Sequence, residues 1–578
     1  MKWNLKEILE VKDFDKLSQE IEKDLEKLKI WVKKLSPKMS REDFEKMLRL
    51  EEEIGVKMSR LAYLPHLMEA VNQKDQQAKV LSKKAEDLGL KISQTSTKIG
   101  LWIQGKIEPQ LDDKNAKRLF GVIKDLEYSL LRSREGAKFS LNEKEEEIIR
   151  HKDSNGVGVI GDLRRMIETE FEYQLGKKKI KSQAELLSLV HSPESKIRED
   201  AYRALLETQK KNIDKFFAMY QAIVRDWAYE AKLRGYQSPI SVRNWGNDVP
   251  DKAIESLLSV CTEEKKVFWD YFKWKAKSLG VKKLKRFDIY APVVKKDKKI
   301  SYEEAITVVL ESFKEFSSEF WEAAREIVEK EHIDVYPSPV KIGGAFCATV
   351  EPKINPYIML NFTGKTRDIS TLAHELGHGV HSILANKHLA SVQQSGLPLA
   401  ETASTLAELV VFEKMMAQEK DNELKKAWLS EKIADAYASV CRQNYFVKFE
   451  IEAHEKMSQG LSPEDLSKIY LKNLKEQFGD SVAIDPLFAY EWSYVSHLFE
   501  SPFYCYAYNF GELLSYNLYR KYQKDKGFLK KIIKILATGG SEKPSKILAT
   551  VGVDIEKKEF WRESFKVIKC WQKELEEL

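Results

Sequence analysis

Within Thr371-Leu372-Ala373-His374-Glu375-Leu376-Gly377-His378-Gly379-Val380-His381, two histidines stand four residues apart and a glutamate follows the first of them. On a helix, His374 and His378 lie one turn apart on the same face, where two imidazoles can hold one metal ion. Glu375 projects about 100° further round the helix. Its carboxylate then stands beside the open position of the metal and can take a proton from bound water. The chemistry that follows is hydrolysis by a metal-activated water.

Such a short pattern needs its surroundings to support it. Pro356 to Phe362 reads as a short β-strand, and Thr363-Gly364-Lys365 has the composition of a turn. The next run, Thr366 to Ala373, offers Asp368 or Ser370 as N-cap before an apolar-periodic segment. The motif is therefore expected on a helix.

A catalytic zinc takes three protein ligands and leaves one position for water. The extended pattern H-E-x-x-H-x-x-G-x-x-H would need Gly at 381 and His at 384, but the chain has His381 and Leu384, which excludes that class. A carboxylate from a following helix is the other source. Leu399-Ala400-Glu401-Thr402-Ala403-Ser404-Thr405-Leu406-Ala407-Glu408 supplies two of them, two helical turns apart and on one face. One can bind metal while the other orients a ligand histidine, and spacing does not say which. Their neighbours are small and apolar, so carboxylates there need a partner. His381, two turns from His374, is placed to contact substrate or to be a satisfied structural histidine, with a competing role as ligand. His497 precedes Tyr504, Tyr506 and Tyr508, phenols that can donate to a developing oxyanion or simply form an aromatic core face. His66, His151, His191, His332, His388 and His454 have no matching cluster and read as structural or surface residues.

These residues sit in a chain of 578, 43% hydrophobic, which is long enough for two to four domains with a sizeable core. No apolar run approaches the roughly 18 residues of a membrane helix, and the opening has no signal-peptide core. A cytoplasmic location is expected. The net charge of +6 comes from 96 basic and 90 acidic residues, a mixed surface rather than a basic field for nucleic acid. Cys261, Cys347, Cys441, Cys505 and Cys570 are scattered and form no C-x-x-C pair, so reduced thiols are expected and none is a zinc ligand.

Residues 1–110 are rich in Lys, Glu and Leu at helical spacing. Leu17, Ile21, Leu25 and Leu28 share one face, as in paired amphipathic helices, with Pro37 and Pro65 at turns or helix starts. Residues 111–190 continue helical. Gly156 to Gly161 spells G-x-G-x-x-G, but the run before it, Glu143 to Arg150, is charged and helical rather than a strand, so a loop is expected and not a nucleotide site. Residues 191–578 read as one large helical domain, with Lys295, Lys296, Lys298 and Lys299 in an exposed loop. Strand character gathers between Val335 and Phe362, where Gly343 to Val350 and Tyr357 to Phe362 form a small sheet beside the motif helix.

From about residue 110 to the end, the chain resembles the oligoendopeptidase F group of zinc peptidases and, more distantly, thimet oligopeptidase. The resemblance rests on TLAHELGHGVH above all, and on Ala231 to Tyr236, Asp288 to Pro292, and Gly343 to Phe346. It implies Glu401 as the third zinc ligand and Glu408 as its supporting carboxylate, and it implies roles for His497 and Tyr508, with Tyr504 and Tyr506 beside them. It further implies a mainly α fold, a two-lobed helical ellipsoid whose deep channel admits unfolded peptides and excludes folded proteins. Gly343, Gly344 and Ala345 are then a backbone edge on which substrate docks by β-augmentation.

The expected function is a zinc-dependent endopeptidase of short peptides with one zinc ion per chain. His374, His378 and Glu401 would hold the metal, Glu375 would act as general base, and Tyr508 with His497 or a neighbouring tyrosine would stabilise the oxyanion. A silent peptide-binding protein on the same fold, and a hydrolase of non-peptide amides, are the alternatives.

Overall fold

The computed structural model describes residues 2–294 and 298–578, apart from the side chain of Leu397. Helix makes up 72% and strand 3%, which agrees with the mainly α expectation. The chain divides into two compact units, each gathered from three stretches of sequence: Met1–Glu143, Lys298–Gln418 and Lys521–Val553 in the first, and Lys144–Asp297, Glu419–Arg520 and Asp554–Leu578 in the second.

In the first unit, the opening residues form three long helices, Phe14–Lys33, Arg41–Val71 and Gln76–Ile103. The starts of the second and third are fixed by Ser40, which accepts the Asp43 N–H at 3.0 Å, and Asp75, which accepts the Ala78 N–H at 3.0 Å. Ile21, Leu25 and Leu28 are buried, and Leu17 packs half-buried against the same core. Pro37 lies in a turn as expected, whereas Pro65 sits inside the second helix. The helix runs through it because Leu61, Leu64 and Leu67 on either side are buried, and that burial outweighs one missing backbone hydrogen bond.

A three-stranded sheet packs against the motif helix in this unit. Its central strand, Tyr357–Met359, pairs parallel with Ile333–Asp334 and antiparallel with Phe346–Ala348, with Cys347 opposite Ile358. Phe346–Ala348 is therefore an edge strand. The apolar run predicts a strand from Gly343 onward, but Gly343 and Gly344 form a bend ahead of it. Gly344 has φ +81°, a left-handed conformation no strand contains, and the Asn361 amide holds the bend by donating to the carbonyls of Ile342 at 2.9 Å and Gly344 at 2.8 Å.

The core of the second unit is aromatic. Tyr220 stacks on Phe449 and meets Trp492 and Phe499, and Phe449 meets Tyr470 edge-on. A buried ion pair runs through it, Arg286 to Glu491 at 2.5 Å, with the Tyr470 hydroxyl donating to the second Glu491 oxygen at 3.1 Å. The G-x-G-x-x-G run is not a loop. Gly156 joins the helix Glu143–Asn155 to the helix Val157–Thr169, and β-carbons at Gly156 and Gly158 would meet the Lys152 and Asp153 carbonyls at 2.8 and 2.9 Å. The glycines serve a tight helix junction. Of the basic cluster, Lys298 and Lys299 are exposed, and Lys295 and Lys296 lie outside the described residues.

Candidate active site

His374, Glu375 and His378 lie on the helix Thr366–Leu384. Its start lies a turn's width ahead of the expected caps. Asp368 is the third helical residue, and its carboxylate accepts the N–H groups of Thr363 at 2.7 Å and Lys365 at 3.1 Å. Glu401 and Glu408 come from the helix Leu397–Gln418, packed directly against the motif helix. Small residues permit this approach. A β-carbon at Gly377 would lie 2.7 Å from both Ala407 Cβ and Ser404 Cα and 2.9 Å from the Ala403 carbonyl. Gly377→Ala is therefore expected to destabilise the protein by about 1–3 kcal/mol, since backbone must move to admit the methyl group. A thermal melt that matches the unsubstituted protein would contradict this packing.

The two helices bring five side chains together. Ligand atoms of His374, His378 and Glu401 all lie within 4.8 Å of one another. His374 Nε2 and His378 Nε2 are 3.7 and 3.8 Å from Glu401 Oε2. Donors in a tetrahedral site with bonds of about 2.0–2.1 Å stand roughly 3.3 Å apart, and these two separations lie within a few tenths of an ångström of that spacing. Two imidazoles and one carboxylate suit a borderline dication such as zinc. Behind them, Glu408 Oε1 lies 2.7 Å from His374 Nδ1, which fixes that nitrogen as the protonated one and turns the Nε2 lone pair towards the other donors. Glu401 also accepts the Ser404 hydroxyl at 3.3 Å.

Burial raises the Glu375 carboxyl to about 7, aided by Glu401 and Glu408 and opposed by His374. Burial also raises Glu401. His378 is held down to about 3, first by burial and then by the charge of His374, so its lone pair is free for a cation throughout the neutral range. For His374, burial opposes the charged form, but Glu408, Glu375 and Glu401 outweigh it and lift the imidazole to about 9. Three carboxylates around two imidazoles leave the cluster short of positive charge.

A cleft of about 290 Å³ opens over these groups, and its further lining includes Ala345, Phe346, Cys347, His381 and Ser382. Phe346 and Cys347 of the edge strand thus line the same space as Glu375. His381 is buried, stands outside the converging donor group, and is held at about 4 by burial, so it remains neutral. Gly343 and Gly344 are exposed with open space over them. Cys347, Thr349, Ser382 and Gln394 were missed by sequence reasoning. Ser382 follows His378 by one turn and could have been found on the helical face, whereas the others come from separate segments with no local signal. Thr349 and Ser382 share a hydroxyl contact of 2.6 Å, and the Gln394 amide donates to Ser382 Oγ at 3.0 Å. Burial, with Glu375 beside it, pushes the Cys347 thiol well up, so it stays protonated.

In the second unit, His497, Tyr504 and Tyr508 form a half-buried cluster. His497 Nε2 lies 3.1 Å from the Tyr508 hydroxyl, His497 stacks on Tyr504 at 5.4 Å, and Tyr504 meets Tyr508 at 5.4 Å. Burial lowers His497, which keeps it neutral near pH 7. Tyr506 departs from the expectation that it joins them. It is fully buried, and its hydroxyl accepts from the Asn247 amide at 2.8 Å, because alternate residues of a helical start face opposite ways.

The arrangement as a whole is a group of two histidines on one helix and a carboxylate from a neighbouring helix that could hold a metal ion, in a mainly α protein. The chain belongs to peptidase family M3, whose family model matches residues 188–567. It is similar to the oligoendopeptidase F homologue of Borreliella burgdorferi, 27% identical over 548 residues that cover 93% of this chain and 91% of that one. It is also similar to oligopeptidase PepF of Bacillus subtilis, 26% identical over 408 residues, 70% of this chain and 61% of that protein. In fold it resembles the crystal structure of oligoendopeptidase F from Enterococcus faecium, with a TM-score of 0.72, 20% identity and 98% of each chain covered. The expected likeness to oligoendopeptidase F is borne out, and the protein is a peptidase. Among the described residues, no helix is long and apolar enough to cross a membrane.

Proposed function

We propose that the protein is a zinc-dependent endopeptidase that cleaves internal bonds of short, unfolded peptides in the cytoplasm. The observation that carries this reading is the convergence of His374, His378 and Glu401, with Glu375 beside them and Glu408 behind. A zinc ion held by those three donors would supply Lewis acidity, which acidifies water and polarises the scissile carbonyl.

The remaining work falls to this chain's own side chains. Glu375 accepts the proton from the attacking water and delivers it to the leaving amine, a task suited to a carboxyl whose burial has raised it towards neutrality. Glu408 keeps His374 in the tautomer whose Nε2 is a donor to metal. Tyr508, backed by His497 and Tyr504, donates to the oxygen that becomes negative in the tetrahedral state. Phe346 and Cys347, on the edge strand Phe346–Ala348, line the cleft, and an extended substrate adds to that edge as a further strand. Five unpaired thiols support a reducing compartment.

The test is hydrolysis of an internally quenched short peptide, with a folded protein as control. Cleavage is expected to vanish with a zinc chelator, return with added zinc, and spare the folded protein. N-methylation of the peptide bonds beside the scissile one is expected to weaken binding. Cleavage that persists in chelator would overturn the metal assignment, and equal binding of N-methylated peptides would overturn the strand docking.

A further inference from the structure

The turn that leads into Tyr504 holds a conformation its residues do not favour. Phe503 has φ +58°, in the left-handed region that a bulky side chain avoids. Two side chains grip its backbone. Glu450, on the helix Gln443–Met457 and 1% exposed, accepts the Phe503 N–H through Oε1 at 2.7 Å. Arg243 donates from Nε to the Pro502 carbonyl at 3.0 Å, while its guanidinium lies 5.6 Å from the Trp227 ring. The Phe503 ring packs 4.6 Å from His454, one helical turn beyond Glu450.

A carboxyl at this position carries a desolvation cost of its own. Glu450 Oε2 and both ring nitrogens of His454 are buried without a hydrogen-bond partner among the described residues. An apolar residue at 450 would avoid that desolvation cost, but it would leave the Phe503 N–H unmet and the left-handed turn unsupported. The turn ends where the aromatic cluster begins. Tyr504 follows Phe503 directly, and the helix that carries Tyr508 begins at Tyr506.

We propose that Glu450 and Arg243 are positioning residues for peptide hydrolysis: they clamp the Pro502-Phe503 turn in its strained form and so hold Tyr504 and Tyr508 in register with His497. The inference rests on the reading of Tyr508 as the oxyanion donor. Burial pushes Glu450 up to about 8, against the pull of the Phe503 N–H and Arg243, so the group accepts that N–H as a largely neutral carboxyl near pH 7. Glutamine keeps an acceptor oxygen in the same place.

The test compares zinc-loaded full-length Glu450→Ala, Glu450→Gln, Tyr508→Phe and the double variant Glu450→Ala/Tyr508→Phe for kcat, KM and bound zinc. Glu450→Ala is expected to lower kcat by about 10- to 100-fold, because small misplacements of a donor are costly, with KM within about twofold and zinc retained. Glu450→Gln is expected to recover most of kcat. The double variant is expected to be no slower than Tyr508→Phe alone, since the clamp acts through that hydroxyl. Wild-type kcat in Glu450→Ala, or losses that multiply in the double variant, would overturn the positioning role while leaving the oxyanion reading intact. Wild-type kcat in Tyr508→Phe would instead overturn the oxyanion reading and this inference with it. If Glu450→Ala does not fold, Arg243→Gln replaces it, with the same loss of kcat expected and an unchanged kcat overturning the clamp.

Discussion

Glu375→Gln is expected to lower kcat for short peptides by about 10²–10⁴-fold, the usual worth of a general base, while one metal ion stays bound per chain. The division rests on position. Glu375 lies outside the group of converging donor atoms, yet it lines the same cleft and is 6% exposed. Glutamine has the same shape, so the buried packing around it persists and only proton transfer is lost. A pH profile gives an independent check. Burial raises this carboxyl to about 7, and only its deprotonated form can accept a proton. A bound cation favours that form and moves the titration downward, so kcat/KM should fall as pH drops through a value at or below about 7. The glutamine variant should lack that limb. Metal loss in Glu375→Gln, or a residual rate within tenfold of the parent, would contradict the assignment.

The parts of this site that are legible in the sequence are those within one helix. His374, Glu375 and His378 are spaced by the helical period, and so are Glu401 and Glu408, so spacing alone assigns each set to a face. What spacing does not decide is which glutamate reaches which atom. That depends on how closely two helices approach, and Gly377 against Ala403, Ser404 and Ala407 sets that distance without any chemical signature of its own. The small sheet is legible from its apolar runs, but the bend at Gly343 and Gly344 is not, because Asn361, seventeen residues beyond Gly344, draws the two carbonyls out of line. Tyr506 and Tyr508 look alike as residue types. Asn247, far along the chain, engages the first in the core, and His497 engages the second. Each compact unit is assembled from three separate stretches, a long-range fact that local periodicity does not encode.

The sharpest test of the proposed metal centre is the contrast between Glu401→Ala and Glu408→Ala. Glu401 Oε2 faces both imidazole Nε2 atoms at 3.7 and 3.8 Å, so its loss removes a donor and leaves two imidazoles, too few to keep a dication against a chelator. Glu408 reaches His374 only through Nδ1, on the side away from those donors, so its loss frees the ring to rotate without removing a donor. Metal affinity is then expected to fall by about 10- to 100-fold in Glu408→Ala, and further in Glu401→Ala. Competitive titration with a chromophoric chelator reads both. Excess zinc should restore most activity to Glu408→Ala, because the three donors are still present, and little to Glu401→Ala, because saturation cannot replace a missing ligand. The two effects should also respond differently to pH. Without Glu408, the force that lifts His374 to about 9 is reduced, so its proton is released more easily and the neutral imidazole is more abundant. Zinc affinity in Glu408→Ala should therefore depend less on pH than in the parent, even as its absolute value drops. The reverse pattern, with Glu401→Ala rescued by zinc and Glu408→Ala not, would exchange the two roles.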